Sequence, residues 1–497
     1  MEWWRRADSA RCVGAVPEVS GISHDSRAVR RGEAFAALPG RQHDGHDYLE
    51  SALAAGAAAA VVQADREAKW APLAGRLPLV VVPDVRAALG GLAAAVHDDP
   101  SSRLRLIGVT GTDGKTTTSH LIAHVLEACG LGCGYLTSVG FDTGSGFELN
   151  ATHMTTLEAT SIQSLLAQAV AGGRESMAVE ASSEGLAQHR LDGCEFDVAV
   201  FTNLTRDHLD FHGSMERYLA AKGILFEMLD EPTSKSFPRA AIVNADDAAG
   251  EYLRARSKAP VLSYGLGGGD FSASDVTAAG FSLSFRLHHG SLELPARVPL
   301  LGRFNAYNSL AAVAVAASQG VAVADAVAAL ASFPGVPGRL ERIEEGQPFG
   351  VFVDIASTAA ALENVLTALR PATAGRLWVV FGAAGGRDPI RRSSMGEVAA
   401  RLANRCVLTN EDPRDEDPDA IIDAIAGALT AGGRREGADF VRVPDRRSAI
   451  RYAFEQAQSG DTVLLAGKAT ETTMVFANEA VPWDERAVAR ELLSGRR

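Results

Sequence analysis

The chain has little of what marks secreted, membrane-spanning or nucleic-acid-binding proteins. Its 497 residues include five cysteines, with no C-x-x-C pair and no zinc-ligand spacing, a pattern that favours a reducing compartment. The longest apolar run, residues 52–63, is too short and too rich in alanine to cross a bilayer. The N-terminus lacks the apolar core of a signal peptide. We therefore expect a cytoplasmic protein.

Basic residues are also in deficit. The formal net charge is -13, which argues against a general binder of nucleic acids or membrane surfaces. We therefore expect no nucleic-acid and no membrane partner. A monomer that acts on small molecules is also expected, although the charge does not determine this. A local basic site for an acidic ligand remains compatible with this charge.

The length predicts about three domains. Two segments have the composition of linkers, one polar with a proline ("HDDPSSRLR", 97–105) and one rich in proline and glycine ("FPGVPGRLE", 333–341). They place the predicted domains at 1–100, 101–334 and 335–497, and we expect a hinge at each linker.

Short apolar runs that end in polar residues or glycine alternate with alanine-rich segments along all three parts. They read "AAVVQ", "LPLVVVP", "FDVAVFTN", "AAIVNADD", "LWVVFGAAGG", "RCVLTNEDP" and "DTVLLAGKA". This alternation predicts an α/β fold with parallel sheets, whose ligands bind at the carboxyl ends of the strands. The glycine cluster "GLGGGD" (265–270) is predicted to be a plain loop.

The segment "RLIGVTGTDGKTTTSHLIAHVLEACG" (105–130) predicts a nucleotide site. An apolar strand, a glycine turn, a Lys-Thr pair and an amphipathic helix form the usual cradle for phosphates. In this arrangement Lys115 neutralises charge and a threonine hydroxyl can reach Mg²⁺. Only two residues separate Gly111 from Gly114, whereas the common loop has four. This variant spacing makes hydrolases and kinases less favoured.

Three further residues are candidates for metal chemistry. Glu180 ends one apolar strand and His208 follows another, so both could hold Mg²⁺ directly or through water. Alternatively, Glu180 caps a turn and His208 is a structural hydrogen-bonding group. Lys222 lies in the apolar segment "YLAAKGILF", either as a surface lysine with a buried stem or as a desolvated amine. A desolvated amine can react with CO₂ to form a carbamate, which is an anionic oxygen ligand.

Longer motifs resemble those of a known family nearly end to end. In order along the chain they read "HDSRAVRRGEAFAALPGRQHDGHDYLESALAAGAAAAVV", "GTDGKTTT", "VEASSEGLAQHRLDGCEFDVAVFTNLTRDHLDFHGSMERYLAAK", "LGRFNAYNSLAAVAVAASQG", "PGRLE", "DIASTAAALENVL", "VFGAAGGRDPIRRSSMG", "TNEDPRDEDP" and "LLAGKATET". By these motifs the chain resembles the Mur ligase family, most closely its UDP-N-acetylmuramoyl-tripeptide synthetases (MurE).

The resemblance implies a three-domain architecture with a central P-loop ATPase-like parallel sheet and a C-terminal Rossmann-like domain. It implies an ATP-dependent, ADP-forming ligase in peptidoglycan precursor synthesis. Such an enzyme adds an amino acid, here expected to be a diamino acid, to UDP-N-acetylmuramoyl-L-Ala-D-Glu through an acyl phosphate.

Site residues follow from the resemblance position by position. ATP is expected at Gly111, Thr112, Gly114, Lys115, Thr116, Thr117, Asn305, Arg339 and Asp354. The implied Mg²⁺ ligands are Thr116, Glu180, His208 and Lys222, the last as a carbamate, and the implied catalytic residues are Lys115, Lys222 and His208. The first domain and the centre are expected to bind the UDP-sugar peptide through Ser26, Asp44, Gly45, His46, Thr155, Thr156, Ser182, Gln188 and Arg190. The incoming amino acid is expected at Arg387, Arg414, Gly467 and Glu471.

The sequence departs from the family pattern at several positions. They are Asp113 for Asn, Leu157 for Pro, Glu184 for His, Ile355 and Ser357 in "DYAH", Ala359 and Ala360 for Pro-Asp, Ala469 and Thr470 in "GKGHE", and Glu411 with Asp412 in "DNPR". Three interpretations stay open: the same reaction held by other contacts, a paralogue that joins a different amine to a carboxylate, and a weakly active nucleotide-binding protein. One hypothesis is that the negative charge of Asp412 pairs with the side-chain ammonium of the added diamino acid.

Overall fold

The structure is a computed structural model, which describes residues 2–7, 9–40, 43–152, 154–386, 389–477 and 479–495. The chain forms two compact units. The first comprises Met1–Ser274, Arg286–Ala296 and Ala306–Ala331, and the second comprises Asp275–Phe285, Arg297–Asn305 and Ser332–Arg497. The domain boundaries predicted from the linkers remain predictions.

The first unit begins with a five-stranded sheet in the order β1-β5-β4-β3-β2, parallel except for β1. Its strands are β1 (Arg11–Val13), β2 (Ile22–Ser23), β3 (Ala34–Ala36), β4 (Ala59–Gln63) and β5 (Leu79–Val82). Its helices are α1 (Leu49–Ala54), α2 (Glu67–Trp70) and α3 (Val85–Val96). The Asp84 side chain caps α3 by accepting hydrogen bonds from the first free amides.

An eleven-stranded sheet follows, in the order β16-β15-β14-β13-β12-β11-β6-β10-β7-β8-β9. Its strands are β6 (Arg105–Thr110), β7 (Cys133–Leu136), β8 (Gly140–Asp142), β9 (Phe147–Leu149), β10 (Ser176–Glu180), β11 (Val198–Phe201), β12 (Ala240–Asn244), β13 (Val261–Gly265), β14 (Phe271–Ala279), β15 (Ser282–His289) and β16 (Leu292–Val298). The helices are α4 (Lys115–Ala128), α5 (Ala159–Ala171), α6 (Ser183–Ala187), α7 (Leu209–His212), α8 (Met215–Glu227), α9 (Ala249–Arg254), α10 (Phe304–Ser318) and α11 (Val323–Ala329). Six neighbouring strands of this sheet pair in parallel, in the spatial order β13-β12-β11-β6-β10-β7. Their carboxyl ends therefore lie at one edge of the sheet.

The second unit contains a six-stranded sheet, in the order β17-β18-β22-β19-β20-β21, with only β17 antiparallel among these described strands. Its strands are β17 (Glu341–Arg342), β18 (Gly350–Asp354), β19 (Leu377–Phe381), β20 (Arg405–Leu408), β21 (Phe440–Arg442) and β22 (Thr462–Ala466), and β23 (Thr473–Phe476) pairs with β24 (Glu479–Pro482). The helices are α12 (Ala359–Leu369), α13 (Ile390–Leu402), α14 (Pro418–Ala431), α15 (Arg446–Gln456) and α16 (Glu485–Ser494).

The predicted α/β class with parallel sheets is confirmed. Each of the seven apolar runs contains a strand, and these are β4, β5, β11, β12, β19, β20 and β22. Gly265 is the last residue of β13, and the rest of the glycine cluster (266–270) connects β13 to β14 as the predicted loop. No helix in the described part of the chain is both long enough and apolar enough to cross a membrane.

Candidate active site

The phosphate loop connects β6 to α4 as the sequence predicts. Gly114 has a φ of +84° immediately before Lys115 begins the helix, a conformation that glycine adopts without strain. Thr116 and Thr117 follow in the first turn, where backbone amides have no partner inside the helix. The Lys115 ammonium donates to the carbonyl oxygens of Gly111 at 3.0 Å and Thr112 at 2.8 Å. The loop therefore has the cradle form required for an anionic ligand.

Two neighbouring elements hold the loop in shape, and sequence reasoning assigned neither of them this role. From the end of β11, Asn203 accepts from the Asp113 amide at 3.0 Å and donates to its carbonyl at 3.1 Å. From α10, Asn308 accepts from the Thr118 hydroxyl at 3.1 Å. A Cβ added at Gly114 would lie 2.7 Å from Asn308 Oδ1. Asn203 follows the carboxyl end of β11, the parallel neighbour of β6. A polar residue at this position in the sequence could have indicated a contact with the phosphate loop.

Glu180 ends β10 as predicted, and its residue is only 1% exposed. Its Oε1 accepts from the Ser138 amide at 3.0 Å and lies 3.3 Å from the Ser138 hydroxyl. The Thr116 and Ser138 hydroxyl oxygens are 3.1 Å apart. The structure thus brings together a buried carboxylate and two hydroxyl groups next to the phosphate loop. Sequence reasoning missed Ser138, which lies on the turn between β7 and β8.

Lys222 is buried on α8, at 1% exposure, so the surface-lysine alternative is wrong. Its Nζ donates to the Gly111 carbonyl at 2.8 Å, the same oxygen that accepts from Lys115. Burial and the nearby Lys115 ammonium lower the pKa of Lys222 to about 6. The side chain is therefore predominantly a neutral amine at neutral pH.

His208 and Lys222 lie around the same aromatic ring. Lys222 Nζ is 4.2 Å from the centre of the Tyr218 ring, and the His208 ring centre is 6.0 Å from it. The Tyr218 hydroxyl and the Thr112 hydroxyl are 3.0 Å apart. His208 is 46% exposed, and its ring nitrogens lie 3.7 Å from Glu184 and 3.4 Å from Asp207. Glu184, which replaces a family histidine, thus faces the imidazole that the sequence assigned to metal binding.

The oxygen donors fit Mg²⁺ better than a transition metal. Mg²⁺ is usually held by one or two carboxylates, with waters and substrate phosphates completing its shell. Glu180 supplies such a carboxylate, and Thr116 and Ser138 supply hydroxyl oxygens beside it. Within the described residues, no group of three or more His, Cys, Asp and Glu side chains is arranged as a self-sufficient metal cage.

Four of the predicted substrate residues form one hydrogen-bonded group. Thr156 Oγ1 donates to the Glu180 carbonyl at 2.8 Å and accepts from the amide and hydroxyl of Ser182 at 2.9 and 3.0 Å. Arg190 donates to the Thr156 carbonyl and to Gln188 Oε1, both at 3.0 Å. Thr155 immediately precedes this group. The network fixes these side chains at the end of β10, adjacent to the phosphate loop.

The predicted UDP residues of the first 100 residues are held by internal contacts. The His46 side chain is fully buried, with Nδ1 2.7 Å from Asp44 Oδ1 and Nε2 accepting from the Gln63 amide at 2.9 Å. Although burial acts to raise the pKa of Asp44, hydrogen bonds from Lys69 and His46 lower it below its usual range. A Cβ at Gly45 would lie 2.6 Å from the Leu38 amide nitrogen. These three residues therefore shape a turn.

Ser26 lies in the turn that follows β2. Two residues earlier, His24 Nδ1 is 2.8 Å from the Thr160 hydroxyl on α5. The turn that carries Ser26 is therefore attached to the central sheet's layer of helices.

Three predicted ATP residues lie in the second unit. Asp354 is buried at the end of β18, where its two carboxylate oxygens accept from the Leu340 amide at 2.7 Å and the Ala356 amide at 2.8 Å. Burial raises the pKa of Asp354, and the nearby Arg339 guanidinium opposes this rise. Asn305 donates to the Leu301 carbonyl at 2.7 Å. Arg339 itself is exposed.

The predicted amino-acid residues lie at the carboxyl ends of β20 and β22, except for Arg387, which lies outside the described residues. Arg414 has a φ of +53°, and its amide donates to the Val475 carbonyl at 3.0 Å. Gly467 directly follows β22. Lys468, fully buried, is paired with Glu471 and with Asp412 Oδ1 at 2.8 Å. Lys468 thus contacts Asp412 through Oδ1, and the hypothesis that Asp412 pairs with a substrate ammonium stays a prediction.

Glu411 is a buried carboxyl beside this cluster. It is 5% exposed, and its Oε2 has no hydrogen-bond partner among the described residues. A Cβ added at Gly467 would lie 2.8 Å from that oxygen. Burial raises the pKa of Glu411 to about 7, against the opposing effect of the Arg446 and Arg391 guanidinium groups.

The substitution Glu411→Gln is expected to change the pH dependence of stability. Between the ordinary pKa of 4.5 and about 7, the folded chain keeps this proton while the unfolded chain loses it. The free energy of unfolding therefore falls as pH rises through that interval, and the penalty is complete above it. The variant should match the wild type near pH 4.5 and exceed its stability by about 1–3 kcal/mol near pH 8.

The measurement is the thermal unfolding midpoint of both proteins across this pH range. Glu397→Gln, on the exposed face of α13, is the matched control and should give a flat difference. A difference between Glu411→Gln and wild type that stays constant with pH would contradict the prediction.

Two of the segments that depart from the family pattern lie against one turn. The Ile355 amide donates to the Gly338 carbonyl at 3.0 Å. A Cβ added at Gly338 would lie 2.5 Å from the Thr470 methyl and 3.0 Å from Ala469 Cβ. The substituted residues of "DIASTAA" and "GKATE" therefore share a neighbour, and small side chains at 469 and 470 fit the close approach of this turn.

Comparisons with known proteins agree with this geometry along the chain. A sequence model described as the Mur ligase family catalytic domain matches residues 18–97, the Mur ligase middle domain matches residues 109–316, and the Mur ligase glutamate ligase domain matches residues 338–469. A UDP-N-acetylmuramyl-tripeptide synthetase of Roseiflexus sp. (strain RS-1) is 43% identical over 96% of this chain and 95% of its own length.

Two further relatives are similar to the chain over most of its length. A UDP-N-acetylmuramoyl-L-alanyl-D-glutamate--2,6-diaminopimelate ligase of Geobacillus thermodenitrificans is 40% identical over 97% of this chain and 96% of that protein. A solved structure of a ligase with the same description is 32% identical, covers 96% of this chain and 95% of its own, and superposes with a TM-score of 0.68. The phosphate loop, the three matched domains and these identities together show that the chain belongs to the Mur ligase family.

Proposed function

We propose that this Mur ligase uses ATP to join a diamino acid to UDP-N-acetylmuramoyl-L-Ala-D-Glu in peptidoglycan precursor synthesis. The observation that carries the proposal is the convergence of Lys115 and Lys222 on the Gly111 carbonyl, at 3.0 and 2.8 Å, beside a buried Glu180. Two amines and a carboxylate at one phosphate loop suit transfer of the γ-phosphoryl group to an acid. The names of the similar proteins support the same substrate class.

The proposed reaction has two balanced steps. A carboxylate oxygen of the dipeptide attacks the γ-phosphorus, the bond to the β-phosphate oxygen breaks, and ADP leaves with an acyl phosphate in place. The amine of the incoming amino acid then attacks the acyl carbon, inorganic phosphate leaves, and the nitrogen loses a proton as the amide forms. The first step brings two anions together, so the protein must offset their repulsion.

The chain's own residues would perform this task as follows. Lys115 would leave its carbonyl partners to contact the transferred phosphoryl group, while the amides of Gly114 and of the first turn of α4 bind the β-phosphate oxygens. Thr116 and Glu180 would hold Mg²⁺, which supplies positive charge against the phosphates when bound. The Ser138 hydroxyl would orient both side chains, since it lies 3.1 Å from the Thr116 hydroxyl and 3.3 Å from Glu180 Oε1. Thr156, Ser182 and Arg190 would place the dipeptide carboxylate in line with the γ-phosphate.

Carbamylation of Lys222 belongs to this proposal. The neutral amine of a lysine attacks the carbon of CO₂ and loses a proton, which leaves an anionic carbamate. Burial of the side chain and a pKa of about 6 favour the neutral amine that this reaction needs. The carbamate oxygens would serve as metal ligands together with His208.

The amino-acid site would combine a guanidinium with several carboxylates. Arg414 would pair with the substrate carboxylate, because a guanidinium can donate hydrogen bonds to both carboxylate oxygens at once. Glu471 is 33% exposed at its side chain despite its pair with Lys468, so it can also contact a ligand. A site with carboxylates as well as an arginine suits an amino acid that carries a second ammonium group.

The test is phosphate release by the purified protein with ATP, Mg²⁺ and UDP-N-acetylmuramoyl-L-Ala-D-Glu, across diaminopimelate, lysine, ornithine and monoamino acids. We expect turnover to need both the nucleotide-dipeptide and one diamino acid, with a tripeptide product of the matching mass. Turnover that ignores the nucleotide-dipeptide would instead indicate a paralogue with another acid. ATP binding without turnover in any mixture would indicate a nucleotide-binding protein.

A further inference from the structure

Glu158 precedes α5 and places one carboxylate between two guanidinium groups. Its Oε1 lies 3.1 Å from Arg190 Nε, and its Oε2 lies 3.4 Å from Arg86 Nη1. The three side chains are 14%, 13% and 26% exposed. Because these side chains are largely shielded from water, their ion pairs are expected to be stronger than the solvent-exposed ion pairs elsewhere in the chain. We refer to these three residues as the Arg86–Glu158–Arg190 cluster.

The two arginines come from distant parts of the sequence. Arg86 lies in the first turn of α3, which packs on the five-stranded sheet. Arg190 lies beyond α6, where its other nitrogens donate to Thr156 and Gln188 at 3.0 Å. One carboxylate therefore connects the layer expected to bind UDP to the group expected to bind the muramoyl-peptide.

A second contact crosses the same boundary nearby. His24, two residues before Ser26, lies 2.8 Å from the hydroxyl of Thr160 in the first turn of α5. Thr160 is 4% exposed. The start of α5 therefore contacts two parts of the first 100 residues. Glu158 contacts Arg86 on α3, and Thr160 contacts His24 in the turn that carries Ser26.

We propose that Glu158 is a positioning residue, which sets the spacing between the UDP site and the muramoyl-peptide site and so determines affinity for the intact nucleotide-dipeptide. This inference rests on the proposed function. A ligand that is held at both ends gains from its second contact only when the two sites are at the correct separation. Order established before binding removes part of the cost of binding. Glu158 need not touch the substrate to have this effect.

The test compares intact substrate with a fragment. In Glu158→Gln, which keeps the shape but removes the charge, we expect KM for the nucleotide-dipeptide to rise about tenfold. The inhibition constant of UDP alone, KM for ATP and kcat should each stay within about twofold. A merely structural role would weaken UDP and ATP as well.

Variants of the partner arginine sharpen the comparison. Arg86→Gln should raise KM for the nucleotide-dipeptide like Glu158→Gln, whereas Arg86→Lys, which retains a cation for the same oxygen, should restore most of the affinity. The control is Glu363→Gln, which removes the carboxylate of an exposed pair with Arg401 in the second unit and should leave every constant unchanged.

The outcomes separate this inference from the proposed function. An unchanged KM in Glu158→Gln, or an equal loss of affinity for UDP and for the nucleotide-dipeptide, would overturn the positioning role while wild-type turnover stands. Wild-type turnover that does not depend on the nucleotide-dipeptide would overturn the proposed function and this inference with it.

Discussion

Replacing Lys222 by alanine is expected to lower kcat by roughly 10²–10³-fold or more, the cost typical of removing one preorganised electrostatic group that stabilises a transition state. The lysine is buried against the phosphate loop, with Nζ 2.8 Å from the Gly111 carbonyl. Alanine has no amine that could react with CO₂, so the variant cannot form the proposed carbamate.

The measurement is single-turnover and steady-state phosphate release by Lys222→Ala, with added bicarbonate as a second condition. Bicarbonate should not restore activity, because the substitution removes the atom to which CO₂ would attach. Acetate or formate, which can place carboxylate oxygens in the vacated space, should restore part of it. The control Lys258→Ala changes an exposed lysine and should turn over like the wild type.

A Lys222→Ala variant with wild-type kcat would remove the carbamate from the mechanism. The wild type offers an independent readout, since isotopically labelled CO₂ bound at Lys222 gives a carbonyl signal that the variant must lack. Retained thermal stability in the variant would show that lost turnover does not reflect unfolding.

The α/β class was predictable because parallel strands leave a strong local signal. A strand buried on both faces reads as a continuous apolar run, as β4, β19 and β22 do. The phosphate loop was equally predictable, because its strand, glycine turn, lysine and helix are contiguous in the sequence. Both features depend on residues close to one another along the chain.

Contacts between distant residues were not predictable in this way. Ser138 contacts Glu180 from a turn 42 residues away, and Glu158 contacts Arg86 from 72 residues away. Serine and glutamate occur commonly on surfaces, so nothing in their local sequence indicates these roles. The pairing of Asp412 with Lys468 was equally unpredictable, because Lys468 lies 56 residues further along the chain.

The largest expected effect on stability is at Arg446, which is fully buried in the second unit. Its guanidinium pairs with both oxygens of Glu485 at 2.6–3.2 Å, and it also donates to the carbonyls of Asn410 at 3.2 Å and Ala466 at 2.8 Å. Trp483 donates to Glu485 at 2.7 Å. Both side chains of the Arg446–Glu485 pair are thus hydrogen-bonded. Removing Arg446 would disturb α16, which carries Glu485, and the segments at the ends of β20 and β22.

Arg446→Met should destabilise the second unit by about 3–5 kcal/mol, because it leaves Glu485 as a buried charge without its partner. For a unit of this size, that loss corresponds to a fall in the unfolding midpoint of roughly 6–20 °C. The measurement is calorimetry of the full chain, together with hydrogen exchange of α15 and α16. Arg401→Met, which breaks an exposed pair, is the control and should change stability by less than about 1 kcal/mol.

The double variant Arg446→Met/Glu485→Leu distinguishes a lost charge partner from a lost side-chain volume. When both charges are removed, the buried site no longer holds an unpaired ion, and well-packed apolar replacements are often neutral. We therefore expect the double variant to be more stable than Arg446→Met alone. A double variant that is less stable than the single one would show that packing, and the two carbonyl contacts, matter more than the charge pair. Because Asn410 and Ala466 precede the loops that carry Arg414 and Gly467, the double variant should still raise KM for the amino acid.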